Sequence, residues 1–450
     1  MTFTQALSQN ALFQAMGRVL LACGACAVIV SVASVILLAL TLTLSSEERM
    51  GAHLREAADK GLLTREVFPL SPYGHTNHAY DMGTECVAFV LSLSNSGEGL
   101  LRRIASSATW SRERVCDRLI DGVSKGGMVA DDIYPRYWHG YQAYIRPLLS
   151  VLSLENFRRV TAVLLYGALV FFAWQLARWF GPLSWPVVFL PLFVIGDFLT
   201  LPVVTSHAIS LIFIFLSVAL VPVILDRYQN AHELILPVYV FAAGMVTSFV
   251  SFLTNPPLAP ALIGFLVIAH RSGCDLRRTL ETALYAGGLV VLWFAGYFAE
   301  WVAKWVFAAI VLGWDVIIND LKGTAANYHA EFPPGGPRLL EATKLNMYQY
   351  EGHLRSFTFL AFGAAAAMLA WLAFMRRLSL EGLVSFLAML APLAVIVVWV
   401  ETNPEHSVIH TGFVSRSFLL FIIIPLLAAL LVWGRAVPAS ARSLARPEPV

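Results

Sequence analysis

Long stretches without a charged side chain restrict this chain more than any other feature. The first runs from Val19 to Ser46, and comparable stretches recur along the sequence. A helix needs about 20 mostly apolar residues to cross a bilayer. Hydrophobic residues make up 58% of the 450 residues and charged residues only 13%, which leaves too little polar surface for a water-soluble protein. We therefore predict an all-α fold, a polytopic transmembrane bundle that forms one integral membrane domain, 1–450.

The apolar stretches divide into ten predicted spans. The sixth is short and begins at the Asn255-Pro256-Pro257 break, so we expect a tilted or partly unwound helix there. The predicted spans are 18–44, 160–178, 183–203, 207–225, 235–253, 257–270, 281–300, 356–375, 382–400 and 417–434.

The distribution of arginine predicts the orientation, because Lys and Arg in short loops resist translocation across the membrane. The short connections on one side, around Val204, around Asn255 and at 401–416, hold a single arginine, Arg416, at the last membrane boundary. We therefore predict that both termini are cytoplasmic, and we expect a bacterial inner (plasma) membrane. The arginines assigned to the cytoplasmic connections are Arg18, Arg178, Arg227, Arg271, Arg277, Arg278, Arg376, Arg377, Arg435, Arg442 and Arg446.

Three polar segments then lie outside the cytoplasm: a first loop at 45–159, a second at 301–355 and a turn at 401–416. All histidines except His232 and His270 fall on this side. We expect amphipathic or juxtamembrane helices in the first loop, and we place the active site on the extracytoplasmic side.

Three smaller features complete the predicted layout. The apolar segment Trp305–Trp314 is too short to span, so we expect it to lie flat at the outer interface. The proline-containing tail, 435–450, is typical of a disordered cytoplasmic segment. Cys86 and Cys116 lie in the first outer loop and can pair only in an oxidising compartment, so a disulfide between them is left open.

Two histidines and two carboxylates lie close together in the first outer loop, at His75, His78, Asp81 and Glu85. If the chain between the carboxylates is helical, their i, i+4 spacing places them on one face. Two carboxylates at so short a distance repel each other, which raises the pKa of one of them. Such a pair suits a general base or a divalent-cation site. The alternative is a solvated loop with ordinary capping residues.

Aromatic residues and cations are concentrated later in the same loop, just before the second span. Aromatic rings can stack on sugars while arginine binds phosphate. The alternative is an aromatic belt that anchors an interfacial helix. The residues that we assign to substrate binding here are Arg136, Trp138, His139, Tyr141 and Arg146.

Further candidates lie at the outer ends of spans. His207 begins the fourth span, where an ionisable side chain is costly in lipid and suggests a function. Asp197 lies near it, with a bond to Thr205 or Ser206 as the alternative. Lys304 opens the second outer loop and is also assigned to substrate binding, although a salt bridge to a glutamate four residues earlier is the simpler interpretation.

The last outer turn is compact and polar. His406 and His410 share a helical face, but a metal pair needs a third ligand, so we assign no metal site. Arg416 is the better candidate for a phosphate contact, and we assign His410 and Arg416 to substrate binding.

Motifs of several other classes are missing. The sequence contains no P-loop, no dinucleotide-binding glycine motif and no zinc-protease motif. A formal net charge of +2 without a basic run gives no reason to expect a nucleic-acid partner.

A first span, a long outer loop with acidic residues and then many spans with short cytoplasmic loops resembles the GT-C class of membrane glycosyltransferases. Enzymes of that class use polyprenyl-phosphate-linked sugars and carry a catalytic carboxylate in the first outer loop. The resemblance implies that Asp81 is the general base, with Glu85 or Asp132 assisting. The acidic residues nearest the first span are, however, Glu47 and Glu48.

The resemblance also implies that Arg136, Arg146 and Arg416 hold the lipid phosphate and that the outer aromatics line the sugar site. The expected partners are membrane lipid, a polyprenyl-phosphate-linked sugar donor and a glycan or lipid acceptor. The carboxylates are compatible with a divalent cation, Mg²⁺ or Mn²⁺, and no other cofactor is predicted. The alternatives are a transporter or flippase of a lipid-linked saccharide, an O-antigen-type polymerase and a non-enzymatic scaffold.

Overall fold

The structure is a computed structural model, and only part of the chain is described. Two histidines of the first predicted cluster, His75 and His78, lie outside the described residues, as does the tail from 437. The described residues are 3–66, 81–93, 99–109, 114–125, 132–228, 232–251, 254–271, 276–330, 338–349 and 352–436.

Helices dominate this part of the chain, together with one pair of two-residue strands, β1 (Ala108–Thr109) and β2 (Asp132–Ile133), which are antiparallel. A π-helical turn (Pro191–Ile195) follows α8, and 3-10 turns (Leu201–Val203 and Ser415–Leu419) precede α9 and α20. In chain order the helices are α1 (Phe3–Leu44), α2 (Glu47–Asp59), α3 (Met82–Leu93), α4 (Leu100–Ser106), α5 (Val115–Lys125), α6 (Gln142–Leu149), α7 (Leu154–Phe180), α8 (Ser184–Leu190), α9 (Thr205–Arg227), α10 (His232–Val250), α11 (Leu258–Arg271), α12 (Leu276–Leu312), α13 (Trp314–Ala330), α14 (Glu341–Met347), α15 (His353–Phe374), α16 (Leu380–Leu390), α17 (Leu393–Thr402), α18 (Pro404–Ile409), α19 (Thr411–Val414) and α20 (Leu420–Ala436).

Within the described residues, seven helical segments are long and apolar enough to cross a membrane. This confirms the prediction of a helical, multi-pass membrane protein. Three of the ten predicted spans instead form shorter apolar helices, at Ser184–Ile195, Leu234–Val250 and Leu258–Arg271. The seven long segments are Gln14–Leu44, Leu154–Phe180, Thr205–Arg227, Leu276–Leu312, His353–Phe374, Leu380–Thr402 and Thr411–Ala436.

Helix α12 corrects one prediction. The segment that begins at Trp305 does not lie apart as a flat interfacial piece, because α12 runs without a break from Leu276 to Leu312. Its 37 residues give a length of about 55 Å, well beyond the roughly 30 Å of a hydrocarbon core. The sequence between Glu300 and Gly313 contains no helix breaker, and the helix ends where Gly313 adopts a φ of 101°. The start of the predicted second outer loop is therefore part of the same helix as the seventh predicted span.

The chain between α1 and α7 forms a packed unit on one end of the bundle. We call α2 to α6 with the two strands the head. A disulfide between Cys86 and Cys116 joins α3 to α5, and buried aromatic residues such as Phe89 form its core. The head contacts the bundle where α1 ends, because Ser150 Oγ accepts the backbone N–H of Ser46 at 3.1 Å.

Two glycines allow α10 and α12 to cross in direct backbone contact. A Cβ on Gly244 would lie 2.1 Å from the carbonyl oxygen of Trp293, and one on Gly296 would lie 2.1 Å from that of Phe241. Small residues let transmembrane helices approach closely. A larger side chain at either glycine would force these helices apart.

Candidate functional site

Asp81 begins α3 at the junction between the head and the bundle. Its Oδ1 accepts the backbone N–H of Thr84 at 2.9 Å, and its Oδ2 accepts the Thr84 hydroxyl at 2.5 Å. Asp81 therefore caps α3, as aspartate often does at a helix N-terminus. The residue as a whole is partly exposed.

Glu85 lies one turn further along α3 and is fully buried. One carboxylate oxygen accepts the hydroxyl of Thr205 at 2.6 Å, and the other accepts the backbone N–H of Ser206 at 3.4 Å. The carboxylate thus caps α9 from a different element, where negative charge is favoured. Burial raises the pKa of Glu85 to about 7, against the opposing effects of the Arg158 charge and the Thr205 bond.

Arg416 comes from the far end of the chain to the same place. It lies in the 3-10 turn before α20, and its Nε donates to the carbonyl oxygen of Gly196, just after the π-helical turn, at 3.3 Å. Burial raises the pKa of Asp81, while the Thr84 bonds and the nearby Arg416 charge oppose that rise. The structure therefore brings together two residues that the sequence separates by most of its length.

Three histidines gather around Phe413 beside Arg416. The ring centroids of His207 and His410 each lie 4.9 Å from that of Phe413, and His406 lies 4.6 Å from His410. His207 is buried in the first turn of α9, and its Nε2 has no hydrogen-bond partner in the part of the chain that the structure describes. Within that part, no group of three or more His, Cys, Asp or Glu side chains could hold a metal ion.

We call these residues together the junction site; it combines a carboxylate, an arginine, imidazole rings and the N-terminus of α9. The backbone N–H groups at that N-terminus are already bonded, because Glu85 accepts that of Ser206 and the Val204 carbonyl oxygen accepts those of His207 and Ala208. Arg416 is therefore the group of this site that can bind an anion, near a carboxylate that accepts a proton. Its members are Asp81, Glu85, His207, His410 and Arg416.

The two arginines predicted in the first outer loop are engaged elsewhere. Arg136 forms an ion pair with Asp320 of α13 at 2.7 Å and lies 4.3 Å over the Tyr134 ring. Arg146 is fully buried and pairs with Glu47 at 3.0 Å. Both cations therefore bind carboxylates of the protein, which gives them a structural reason to be present.

The aromatic residues beside them form the core of the head. Trp138 is buried, and its Nε1 donates to the carbonyl oxygen of Glu300 at 2.8 Å. His139 contacts the Tyr141 hydroxyl through Nδ1 at 3.0 Å and the Tyr134 carbonyl oxygen through Nε2 at 3.1 Å. Burial, helped by the Lys304 charge, lowers the pKa of His139 to about 3, so its ring is neutral.

Lys304 and Asp132 also lie outside the junction site. The salt bridge expected between Glu300 and Lys304 does not form; the buried ammonium donates instead to the carbonyl oxygens of Ile104 at 2.6 Å and Ala105 at 3.0 Å, near the end of α4. Asp132 is exposed on β2, where its Oδ1 accepts its neighbour's N–H. The three predicted carboxylates are therefore not gathered in one place.

Sequence reasoning missed several partners in this region. Thr205 and Ser206 are the partners that the sequence suggests for Asp197, but Asp197 accepts the Thr200 hydroxyl at 2.6 Å, and Thr205 and Ser206 bind Glu85 instead. The signal was present, since two hydroxyl residues at a helix start suggest a cap. Glu47 follows the N-cap Ser46, but nothing local shows that it also binds two arginines.

The fold and the site define a multi-pass integral membrane protein with a disulfide-bonded head seated on one end of its helical bundle. Comparisons with protein-family models, with curated proteins and with solved structures found no match. The argument for a function therefore depends on the geometry of the junction site.

Proposed function

We propose that the protein is a membrane glycosyltransferase that moves a sugar from a polyprenyl-phosphate-linked donor to an extracytoplasmic glycan or lipid acceptor of the cell envelope. The observation that carries the proposal is that Arg416 lies close enough to Asp81, at the head–bundle junction, for its charge to oppose the rise in the pKa of that carboxyl group. A lipid-linked donor leaves a polyprenyl phosphate, so its enzyme needs a general base and a phosphate-binding cation side by side at the edge of the membrane.

In this proposal Asp81 is the general base that deprotonates the acceptor hydroxyl. A base works best when its pKa approaches the working pH, and burial moves the pKa of Asp81 in that direction. Glu85 assists by holding α9 in place. Asp132 is a weaker candidate for the general base because it lies on β2, away from these contacts.

Arg416 is the proposed phosphate contact. Guanidinium groups bind phosphate oxygens in a bidentate manner. His207 and His410 lie nearby, and the rings of both pack against Phe413. Arg136 and Arg146 are then positioning residues of the head rather than donor ligands.

A groove in the bundle suits the lipid part of the donor. It has a volume of about 430 Å³ and lies between α1, α6, α9 and α10, with Ser34, Tyr144, Ile209 and Phe249 in its lining. Ile209 is one turn along α9 from Thr205, the residue that Glu85 binds. A prenyl chain in this groove would place its phosphate near the junction site.

The proposal includes a topology of ten apolar helices, three of them incomplete spans, in a bacterial inner membrane with both termini in the cytoplasm. The head is then extracytoplasmic. Two independent observations support this orientation: the arginine distribution and the disulfide in the head, which persists in oxidising compartments.

The test is sugar transfer by the purified protein in nanodiscs, given a panel of polyprenyl-phosphate monosaccharides. We expect Asp81→Asn to lower the transfer rate by about 10²–10⁴-fold, the usual worth of a general base. Arg416→Ala should lower it by about 10²-fold, with partial recovery in Arg416→Lys. Asp132→Asn is the matched control and should keep native activity.

Other outcomes would redirect the proposal. Loss of transfer in Asp132→Asn with retention in Asp81→Asn would move the base to β2. If no donor supports transfer, movement of a lipid-linked saccharide across liposomes by the same protein would establish the transporter alternative instead.

A further inference from the structure

A carboxylate lies inside the bundle between α1 and α12, apart from the junction site. Glu300 is fully buried. Its Oε1 accepts the hydroxyl of Ser34 at 2.8 Å, and its Oε2 accepts the hydroxyl of Ser31 at 2.9 Å. Both serines belong to the stretch of α1 that contains no charged residue, from Val19 to Ser46. Glu300 is therefore at a depth where lipid surrounds α1.

The described residues supply this carboxylate with hydroxyl donors but with no ion-pair partner. The nearest ammonium along α12, that of Lys304, donates to two carbonyl oxygens of α4. Cys26 on α1 is a further titratable group that faces Glu300. An ionised carboxylate without a counter-charge is costly in the membrane interior, so a bound cation would stabilise the charge of Glu300.

The oxygens around Glu300 indicate which cation fits. The two carboxylate oxygens lie beside the hydroxyl oxygens of Ser31 and Ser34, and Ser34 also contacts the carbonyl oxygen of Val30 at 3.0 Å. Hydroxyl oxygens keep lone pairs after they donate, and all of these ligands are hard oxygens of the kind that bind hard cations. A single carboxylate balances one positive charge, which favours a proton or Na⁺ over a divalent ion.

The site also has a route of access. Ser34, which binds Glu300, is part of the lining of the 430 Å³ groove. We propose that Glu300, Ser31 and Ser34 form a binding site for one exchangeable monovalent cation, a proton or Na⁺, reached from the groove. This inference does not depend on the proposed sugar transfer.

The test is labelling of the native protein in nanodiscs with an apolar carbodiimide, which enters from lipid and reacts only with a protonated carboxyl group. Peptide mass spectrometry would locate the label. We expect label on Glu300, falling about tenfold for each pH unit above the midpoint of its titration. Glu300→Gln should lose the label. Glu281→Gln is the matched control, because Glu281 is an exposed carboxylate on the same helix, and its loss should leave the label unchanged.

Replacing Na⁺ by choline at equal ionic strength separates the two cations. Protection by Na⁺ at a fixed pH would assign the site to Na⁺, and labelling that depends on pH alone would assign it to a proton. The proposal is overturned if Glu300 stays unlabelled at every pH at which the protein remains folded, or if its label is insensitive to both pH and Na⁺.

Discussion

At the scale of single residues, Glu85 shows how one carboxylate can serve both structure and chemistry. It is fully buried, yet its two oxygens cap a helix of the bundle from the head. Its pKa of about 7 lies well above the ordinary value of 4.5. The folded protein therefore retains a proton over a pH range in which the unfolded chain has lost it.

The raised pKa of Glu85 makes the free energy of unfolding depend on pH. Because the folded pKa is the higher one, stability is greatest below about pH 4.5 and falls as the pH rises through about 7, by about 3 kcal/mol in total. Glu85→Gln imitates the protonated form and should remove this decline. Thermal unfolding in detergent at several pH values measures it, and an equal decline in both proteins would contradict the assignment.

Asp81 and Glu85 also show that the spacing of residues along a helix does not predict their partners. The i, i+4 spacing and the helical conformation from Met82 onward were predictable from the sequence. Their roles were not, because Asp81 caps its own helix while Glu85 binds Thr205 of another. Contacts between elements depend on how the elements pack, which local spacing does not encode.

At the scale of elements, the head is attached to the bundle by buried polar contacts. Arg136 pairs with Asp320 of α13, and its carbonyl oxygen accepts the Trp305 indole N–H at 3.0 Å. Lys304 binds the end of α4. These contacts explain why cations and aromatics are concentrated in this part of the sequence without a need for substrate.

Loss of either member of the Arg136–Asp320 pair should be costly. We expect Arg136→Ala to destabilise the fold by about 1.5–3 kcal/mol, because it removes the charged hydrogen bond to the partly buried Asp320 carboxylate. The double variant with Asp320→Asn should lose less than the sum of the two single variants. Urea or thermal unfolding of all four proteins measures this, and a stable Arg136→Ala protein that no longer binds donor would restore its role as a phosphate ligand.

The disulfide between α3 and α5 gives a second prediction at this scale. It closes a sequence separation of 30 residues. Replacing Cys86 and Cys116 by serine should destabilise the head by about 2–4 kcal/mol. The midpoint of thermal unfolding with and without reductant measures the effect; the serine variant should be insensitive to reductant, whereas an equal response of both proteins would point to another cause.

At the scale of the whole molecule, the orientation of the bundle decides which compartment the junction site faces. We expect a cysteine at Asp132 to react with a membrane-impermeant maleimide in intact cells, and a cysteine at Arg376 to react only after lysis. Both positions are exposed. The background protein would carry alanine at the unpaired cysteines. The reverse pattern of labelling would place the head in the cytoplasm and remove the extracytoplasmic assignment.

The sequence alone determined that this is a helical membrane protein, and it located the apolar segments closely. The reason is that a charged side chain is unfavourable in lipid wherever it occurs, so each span can be recognised from the composition of its own stretch of about 20 residues. The local pattern did not predict that α12 continues past Glu300, because that continuation depends on the packing of Lys304 and Trp305 against the head.

Only the tertiary structure decided which polar residues meet. It brought Arg416 close enough to Asp81 for its charge to act on that carboxyl group, bonded Glu85 to α9 and engaged Arg136 and Arg146 in ion pairs within the protein. It also placed Glu300 against two serines of α1. Residues of the same type in similar surroundings are indistinguishable along the chain, and the contacts that separate a substrate ligand from a structural ion pair arise only when distant helices pack together.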